Sequence, residues 1–253
     1  MSQSFRQPEI LDIARRDGKV SVEDLATHFN VTLQTIRRDL SDLAEAGKLE
    51  RVHGGAIHPS GTTNIEYEER RTLNETEKAG IARACVEHIP DGSSLFLNIG
   101  TSTEAVAREL LRHSGLLVVT NNMNVANILV GNPDCQIILT GGALRRSDGG
   151  LVGAITIDSI RQFKFDIAVI GCSAMDDDGD LLDFDIQEVS VSQTILSRSR
   201  KSFLVADHSK FMRSAPGRIA SLSQIDALFT DQPLPVDLAS RCKDWRTEVH
   251  LAI

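Results

Sequence analysis

The sequence predicts a two-part α/β chain: a small winged helix-turn-helix module followed by a larger domain in which strands and helices alternate. Three observations predict it. Residues 1–58 hold three helical patterns and then a hairpin pattern. His58-Pro59-Ser60-Gly61-Thr62-Thr63-Asn64 is a polar linker containing Pro and Gly. From Gly92 onward, short apolar runs alternate with helical segments, the pattern of a mostly parallel sheet. The expected divisions are 1–58, a linker at 59–73, and a large domain at 74–253; a chain of 253 residues suits two domains.

The first helix is expected from Pro8 to Asp17, with Ile10, Ile13 and Ala14 inward, Pro8 in its first turn and Gly18 ending it. Ser21-Val22-Glu23-Asp24 resembles a capping box with Asp replacing the usual Glu, and Val22, Leu25, Ala26 and Phe29 form the stripe of a short second helix. Asn30-Val31 makes a tight turn, and Thr32 caps a third helix whose Leu33, Ile36, Leu40 and Leu43 fall on one stripe. At about 100° per residue Arg38 points directly away from that stripe, flanked by Gln34 and Thr35, with Arg37 nearer the side. Gln, Thr and Arg side chains reach base edges and phosphates, so Thr32, Gln34, Thr35, Arg37 and Arg38 are the candidate DNA-reading residues. After Gly47, the alternating Lys48–Ile57 stretch with its Gly54-Gly55 turn reads as a wing, whose Lys48, Arg51 and His53 suit backbone phosphates. For His53 an exposed turn residue is an equal alternative.

Charge limits how such a module works. The whole chain carries a net charge of −8, which argues against indiscriminate coating of nucleic acid. DNA recognition then depends on a local basic face and on sequence readout. No apolar run is long enough to span a bilayer, and no charged-then-apolar leader opens the sequence. Cys85, Cys135, Cys172 and Cys242 are widely spaced, as expected of reduced thiols in the cytoplasm, with no cofactor or metal site.

In the large domain, strands are expected at 94–98, 116–120, 136–140, 166–171 and 202–206, and helices near 74–88, 103–113, 122–130, 156–163 and 186–199. Ligands of such sheets bind beyond the carboxyl ends of the strands. Four junctions there carry candidate chemistry. Asn98-Ile99-Gly100-Thr101-Ser102-Thr103 offers backbone N–H groups and hydroxyls to a phosphate, with a Thr101/Glu104 capping box as the alternative. Asn121-Asn122 and Gly141-Gly142, the latter followed by Arg145, suit hydroxyl contacts and close backbone approach, or turn chemistry alone. Lys210, in Asp207-His208-Ser209-Lys210-Phe211, offers a cation, unless it is simply exposed. Asp183, Asp185 and Glu188 suit polyol hydroxyls; the competing reading makes them general bases of a sugar-phosphate isomerase, for which no fuller catalytic set is present.

Ser21–Ala26, Val31–Leu40 and Leu49-x-Arg51-x-His53-Gly54-Gly55-Ala56 resemble the DNA-binding signature of the DeoR-type bacterial repressors, nearly continuously over residues 6–57. The motif order over 75–253 resembles the effector domain of that family, which is similar to the ribose-5-phosphate isomerase and glucosamine-6-phosphate deaminase fold. Thr120–Asn127, Asp148–Gly153, Leu182–Val189 and Ala206–Phe211 look most like the family's glycerol 3-phosphate branch. One departure is Asn98, which stands where many relatives have Asp. The resemblance implies a non-enzymatic repressor of operator DNA. Its effector would be a small phosphorylated metabolite, glycerol 3-phosphate or a sugar phosphate. It would act as a homodimer or homotetramer, because half-sites one turn apart need two heads.

Overall fold

A computed structural model describes residues 3–17, 19–46, 48–52, 54–57 and 66–252. The N-terminal part comprises helix α1 (Gln3–Asp17), strand β1 (Lys19–Ser21), helices α2 (Val22–Phe29) and α3 (Leu33–Glu45), and strands β2 (Glu50–Val52) and β3 (Gly55–Ile57). The strands form an antiparallel sheet in the order β1-β3-β2, so the wing is tied to the segment entering α2. Gly55 is required there, because a Cβ would stand 2.0 Å from the Val20 carbonyl oxygen. Ile10, Ala14, Leu25, Phe29, Ile36, Leu40, Leu43, Leu49 and Ala56 share one core.

The structure adjusts three local expectations. Helix α1 begins five residues before Pro8, because Arg6 lies buried and its Nε donates to Asp39 Oδ2 of α3 at 2.8 Å. Leu33 is 43 % exposed, while Asp39, on the other flank of the α3 stripe, is buried against α1. Ser21 caps α2 by accepting from the Asp24 amide at 3.0 Å, but the Asp24 carboxylate accepts from the Ser21 hydroxyl instead of completing a box. Asp is one methylene shorter than the Glu that normally reaches back to the N-cap amide.

Within the stretch read as linker lies helix α4 (Tyr67–Thr72); residues 58–65 and His53 lie outside the described residues. Then follow α5 (Glu75–Val86), β4 (Ser94–Leu97), α6 (Thr101–Glu109), β5 (Leu116–Thr120), α7 (Met123–Leu129) and β6 (Cys135–Leu139). A hairpin, β7 (Ala143–Arg145) and β8 (Gly150–Val152), precedes α8 (Ala154–Arg161) and β9 (Phe165–Ile170). The remainder is β10 (Ala174–Met175), β11 (Asp180–Asp183), α9 (Ile186–Ser197), β12 (Ser199–Val205), β13 (Gly217–Ser221), β14 (Ala227–Thr230), α10 (Val236–Trp245) and β15 (Glu248–Leu251). The hairpin, the small antiparallel sheet β10-β11-β13 and the last three elements extend beyond the sequence expectation.

Seven strands make one parallel sheet in the order β15-β14-β12-β9-β4-β5-β6. Its two faces are dry: Leu95, Leu97, Val118 and Val169 pack with α5, α6 and α7, and Phe96, Val119, Ala168 and Leu204 pack on the side of α8, α9 and α10. Chain order runs one way from β4 to β6 and the other way from β9 to β15. The connections therefore diverge between β4 and β9, the point at which sheets of this kind place a ligand crevice, outside the strands' carboxyl ends. No helix among the described residues is long and apolar enough to cross a membrane, and all four cysteines are free.

Arg6→Ala would leave Asp39 charged and unpaired in the N-terminal core. It is expected to destabilise that module by about 3–5 kcal/mol, read as lost hydrogen-exchange protection of the α3 amides in native conditions. Wild-type protection in the variant would show that the pair does not hold the helices together.

Candidate functional site

Helix α3 is built to present a polar face. Thr32 caps it, accepting from the Thr35 amide at 3.2 Å, and its hydroxyl lies 2.9 Å from that of Thr35. Gln34, Arg37 and Arg38 are exposed, as are Lys48 and Arg51 beside the wing, whereas Thr35 is half-buried and occupied with the cap. Neither Arg37 nor Arg38 forms an ion pair among the described residues, so both guanidinium groups are available for DNA.

In the large domain the sheet register brings polar residues together at the crevice. Leu97 pairs with Thr120 and Thr120 with Leu139, so the following residues, Asn98, Asn121 and Thr140, form a row one step beyond β4, β5 and β6. All three are buried. Asn98 Nδ2 donates to Ser192 Oγ at 2.8 Å, and Asn121 Nδ2 to the Leu151 carbonyl at 3.1 Å. Asn98 Oδ1, Asn121 Oδ1 and Thr140 Oγ1 have no partner among the described residues. Of the six buried side-chain atoms in that condition, these three and Thr230 Oγ1 lie at carboxyl ends of sheet strands and a fifth is Arg70 Nε. Unpaired buried polar atoms are costly, so their concentration at one end of the sheet makes that end the candidate ligand-binding surface.

Beside the row, Lys78, Lys210, Arg70 and Arg213 form a cationic cluster around Asp207. Asp207 is buried, accepts from Asn74 Nδ2 at 2.9 Å and from the Ser209 amide at 3.1 Å, and is held well below the usual carboxylate range by Lys210, Ser209 and Lys78 against the opposing effect of burial. Lys210 is only 9 % exposed, and its ammonium makes no hydrogen bond or ion pair among the described residues. Burial, with Lys210 close by, lowers Lys78 to about 8. Lys78 also lines a cleft of about 280 Å³ with Thr101, Glu104 and Arg108. With Asp148 beside Arg70 and Glu69 beside Arg213, Asp207 is the carboxylate shared by Lys78 and Lys210, and two buried ammonium groups on one carboxylate favour an anionic ligand.

The α6 turn fits that use in part. Gly100 has φ of 142°, and no side chain caps the helix, leaving its first amides available to an anion. The Thr101/Glu104 capping box is absent: Glu104 turns instead to the Tyr67 hydroxyl and Asn124 Nδ2, both at 3.0 Å. Thr103 Oγ1 closes the turn on the Asn98 and Gly100 carbonyls at 2.7 Å each, while Ser102 is buried with its hydroxyl unpaired among the described residues.

Other candidates are engaged in structure. Asn122 caps α7, accepting from the Asn124 amide at 2.8 Å. A Cβ on Gly142 would meet Thr156 Oγ1 at 2.0 Å, and that hydroxyl donates to the Gly141 carbonyl at 2.7 Å, so the paired glycines admit α8 and not a ligand. Arg145 donates to Asp148 at 2.6 and 2.9 Å, Asp185 at 2.6 Å and Glu188 at 2.7 Å. Three carboxylates satisfy this guanidinium, which makes it a poor anion ligand. It also takes Asp185 and Glu188 from the roles expected of them as hydroxyl ligands or bases. Asp185 further caps α9, and Asp183 accepts from Ser173 Oγ at 2.7 Å. Burial and nearby Asp183 raise Glu188 to about 7 despite Arg145.

Lys78, Arg70 and Arg213 escaped the sequence reading. For Lys78 a signal existed: it falls on the same stripe as Ile81, Ala82 and Cys85, where a lysine is out of place. Nothing local marks Arg70, which sits in a run of charged residues.

Residues 6–62 match the DeoR-like helix-turn-helix domain and residues 73–232 the DeoR C terminal sensor domain. The chain belongs to the DeoR family of transcriptional repressors. This DeoR-family chain is 46% identical over 251 residues to the glycerol-3-phosphate regulon repressor of Escherichia coli (strain K12), covering 99% of the chain and 100% of the relative. It is 43% identical to the Haemophilus influenzae protein of the same name, over 99% of the chain and 98% of the relative. It is 38% identical to the E. coli HTH-type transcriptional repressor CsqR, over 97% and 94%. Among solved structures, ribose 5-phosphate isomerase A from Methanocaldococcus jannaschii matches 55% of each chain at 14% identity and a TM-score of 0.41. The full-length relatives are repressors, in agreement with the expectation of a protein that is not an enzyme.

Loss of the Lys78 charge removes part of the attraction for an anion. The affinity for sulfate, whose charge is constant over this range, is therefore expected to fall as pH rises through about 8, the value to which burial lowers Lys78. Calorimetric titrations between about pH 7 and about pH 9.5 check this; a flat profile would remove Lys78 from the site.

Proposed function

We propose that this DeoR-family protein is a cytoplasmic repressor released from its operator by glycerol 3-phosphate. The N-terminal 1–58 module binds DNA, with Gln34 and Arg38 reading bases and Thr32, Arg37, Lys48, Arg51 and His53 contacting or orienting on the backbone. Residues 74–253 bind the effector and hold two or four copies together, because one recognition helix reads too few base pairs and paired half-sites need paired heads. The observation that carries the effector reading is the meeting of two chemistries at one crevice. A cluster of buried cations beside an uncapped helix start suits a phosphate, and a row of unpaired amide and hydroxyl groups suits the alcohol groups of a small polyol. Identity of 46% to the E. coli glycerol-3-phosphate regulon repressor over almost the entire chain supports the choice of glycerol 3-phosphate. Asn98 fits too, since a neutral amide repels an anionic ligand less than a carboxylate does. To act as inducer the ligand must bind the DNA-free conformation more tightly.

Arg38→Ala is expected to weaken operator binding by about 1–3 kcal/mol and to relax discrimination at one position, measured as the affinity ratio for operator and scrambled DNA. An unchanged ratio would assign Arg38 elsewhere. Glycerol 3-phosphate is expected to raise the melting temperature of the wild type and much less that of Lys210→Ala. If fructose 1-phosphate stabilises the protein and glycerol 3-phosphate does not, the effector is a sugar phosphate.

A further inference from the structure

Helix α4 is joined to the wing by residues 58–66 and is the first described element of the sensor part. None of its residues is fully buried, so apolar packing does not hold it. Polar contacts do. The Tyr67 hydroxyl donates to the Glu104 carboxylate at 3.0 Å and accepts from Asn124 Nδ2 at 2.9 Å. Lys78 Nζ donates to the Arg70 and Leu73 carbonyls, and Arg70 Nη2 lies 3.5 Å from Asp148 Oδ2. Each anchor is a residue of the crevice or its rim.

Arg70 is unusual among these. Its side chain is 18 % exposed, yet its Nε is buried without a partner among the described residues, beside the Lys78 and Lys210 cluster. A guanidinium presents its donors as a fork suited to phosphate oxygens. Engaging a phosphate would cost little elsewhere: Asp148 keeps two hydrogen bonds from Arg145, so releasing Arg70 leaves no carboxylate unpaired.

We propose that Arg70 is a direct ligand of the bound phosphate and that α4 is the strap through which occupancy reaches the DNA-binding module. The inference rests on the reading of the crevice as a phosphate-ester site. A helix held by a few polar contacts shifts when a dianion competes for one of them, and it is the sensor helix nearest in sequence to the wing. This meets the requirement that an inducer contact differ between the two states.

The test uses the full chain, operator DNA selected from random sequence by the purified protein, and glycerol 3-phosphate, fructose 1-phosphate and inorganic phosphate as probes. Two quantities are read for wild type, Arg70→Gln, Arg70→Lys and Lys210→Ala: ligand Kd, and the ratio of operator Kd with saturating ligand to that without. Arg70→Gln is expected to weaken phosphate-ester binding about tenfold or more and to bring the saturated ratio close to one. Arg70→Lys should recover part of both, and Lys210→Ala should lose affinity while keeping the ratio at saturation. A wild-type ratio in Arg70→Gln at saturation, or an unchanged ligand Kd, overturns the proposal. If no probe binds the wild type, the phosphate-ester reading fails and the proposal falls with it.

Discussion

Burying Lys78 and Lys210 beside Arg70 and Arg213, with Asp207 as their central counter-charge, is the constraint on which the sensor part depends. Desolvated ammonium groups are tolerated only where fixed acceptors surround them. Asp207 is locked by Asn74 and Ser209, and Lys78 is anchored on the carbonyls of Arg70 and Leu73. These anchors fix α4, the start of α5 and the turn after β12 relative to one another. The same arrangement sets two buried ammonium groups against one carboxylate, the charge balance on which the proposed anion site rests.

The sheet supplies the second half of the site for a topological reason. Within a strand every amide and carbonyl is used by the ladder. Chain direction across the sheet reverses between β4 and β9, so the connections leaving these two strands run to opposite faces just past their ends. Asn98 sits at that point and Asn121 one strand away, and each side chain makes a single hydrogen bond, to α9 and to the β8 hairpin strand respectively. The hairpin and α9 are themselves joined through Arg145, whose four short bonds to Asp148, Asp185 and Glu188 form a structural clasp at the rim. The acids that invite an enzymatic reading are thus consumed in holding the crevice walls.

The DNA-binding module shows the same economy at smaller scale. Its core is a dozen apolar residues and one buried ion pair, Arg6–Asp39, that ties α1 to the recognition helix. Because the pair fixes one flank of α3 inward, Gln34, Arg37 and Arg38 point outward together. The overall acidic charge of the chain then matters less than the placement of these few side chains.

Periodicity and motif order alone determined the two-part organisation, the helix-turn-helix with its wing and the central parallel strands, and pointed to the carboxyl ends of those strands as the place for a ligand. These are local properties: helix caps, stripes and turn residues are written within a few positions of where they act. The tertiary structure alone decided which of the candidate groups remain unpaired. Arg145, Asp183, Asp185, Glu188, Asn122 and the paired glycines are engaged in structural bonds, Asn98, Asn121 and Lys210 keep polar atoms without a partner among the described residues, and Lys78, Arg70 and Arg213, each with contacts of its own, join the candidate site. The reason is physical: whether a polar side chain can serve a ligand depends on tertiary partners such as Glu188 for Arg145 or Ser192 for Asn98, 43 and 94 residues away, and sequence spacing carries no record of those encounters.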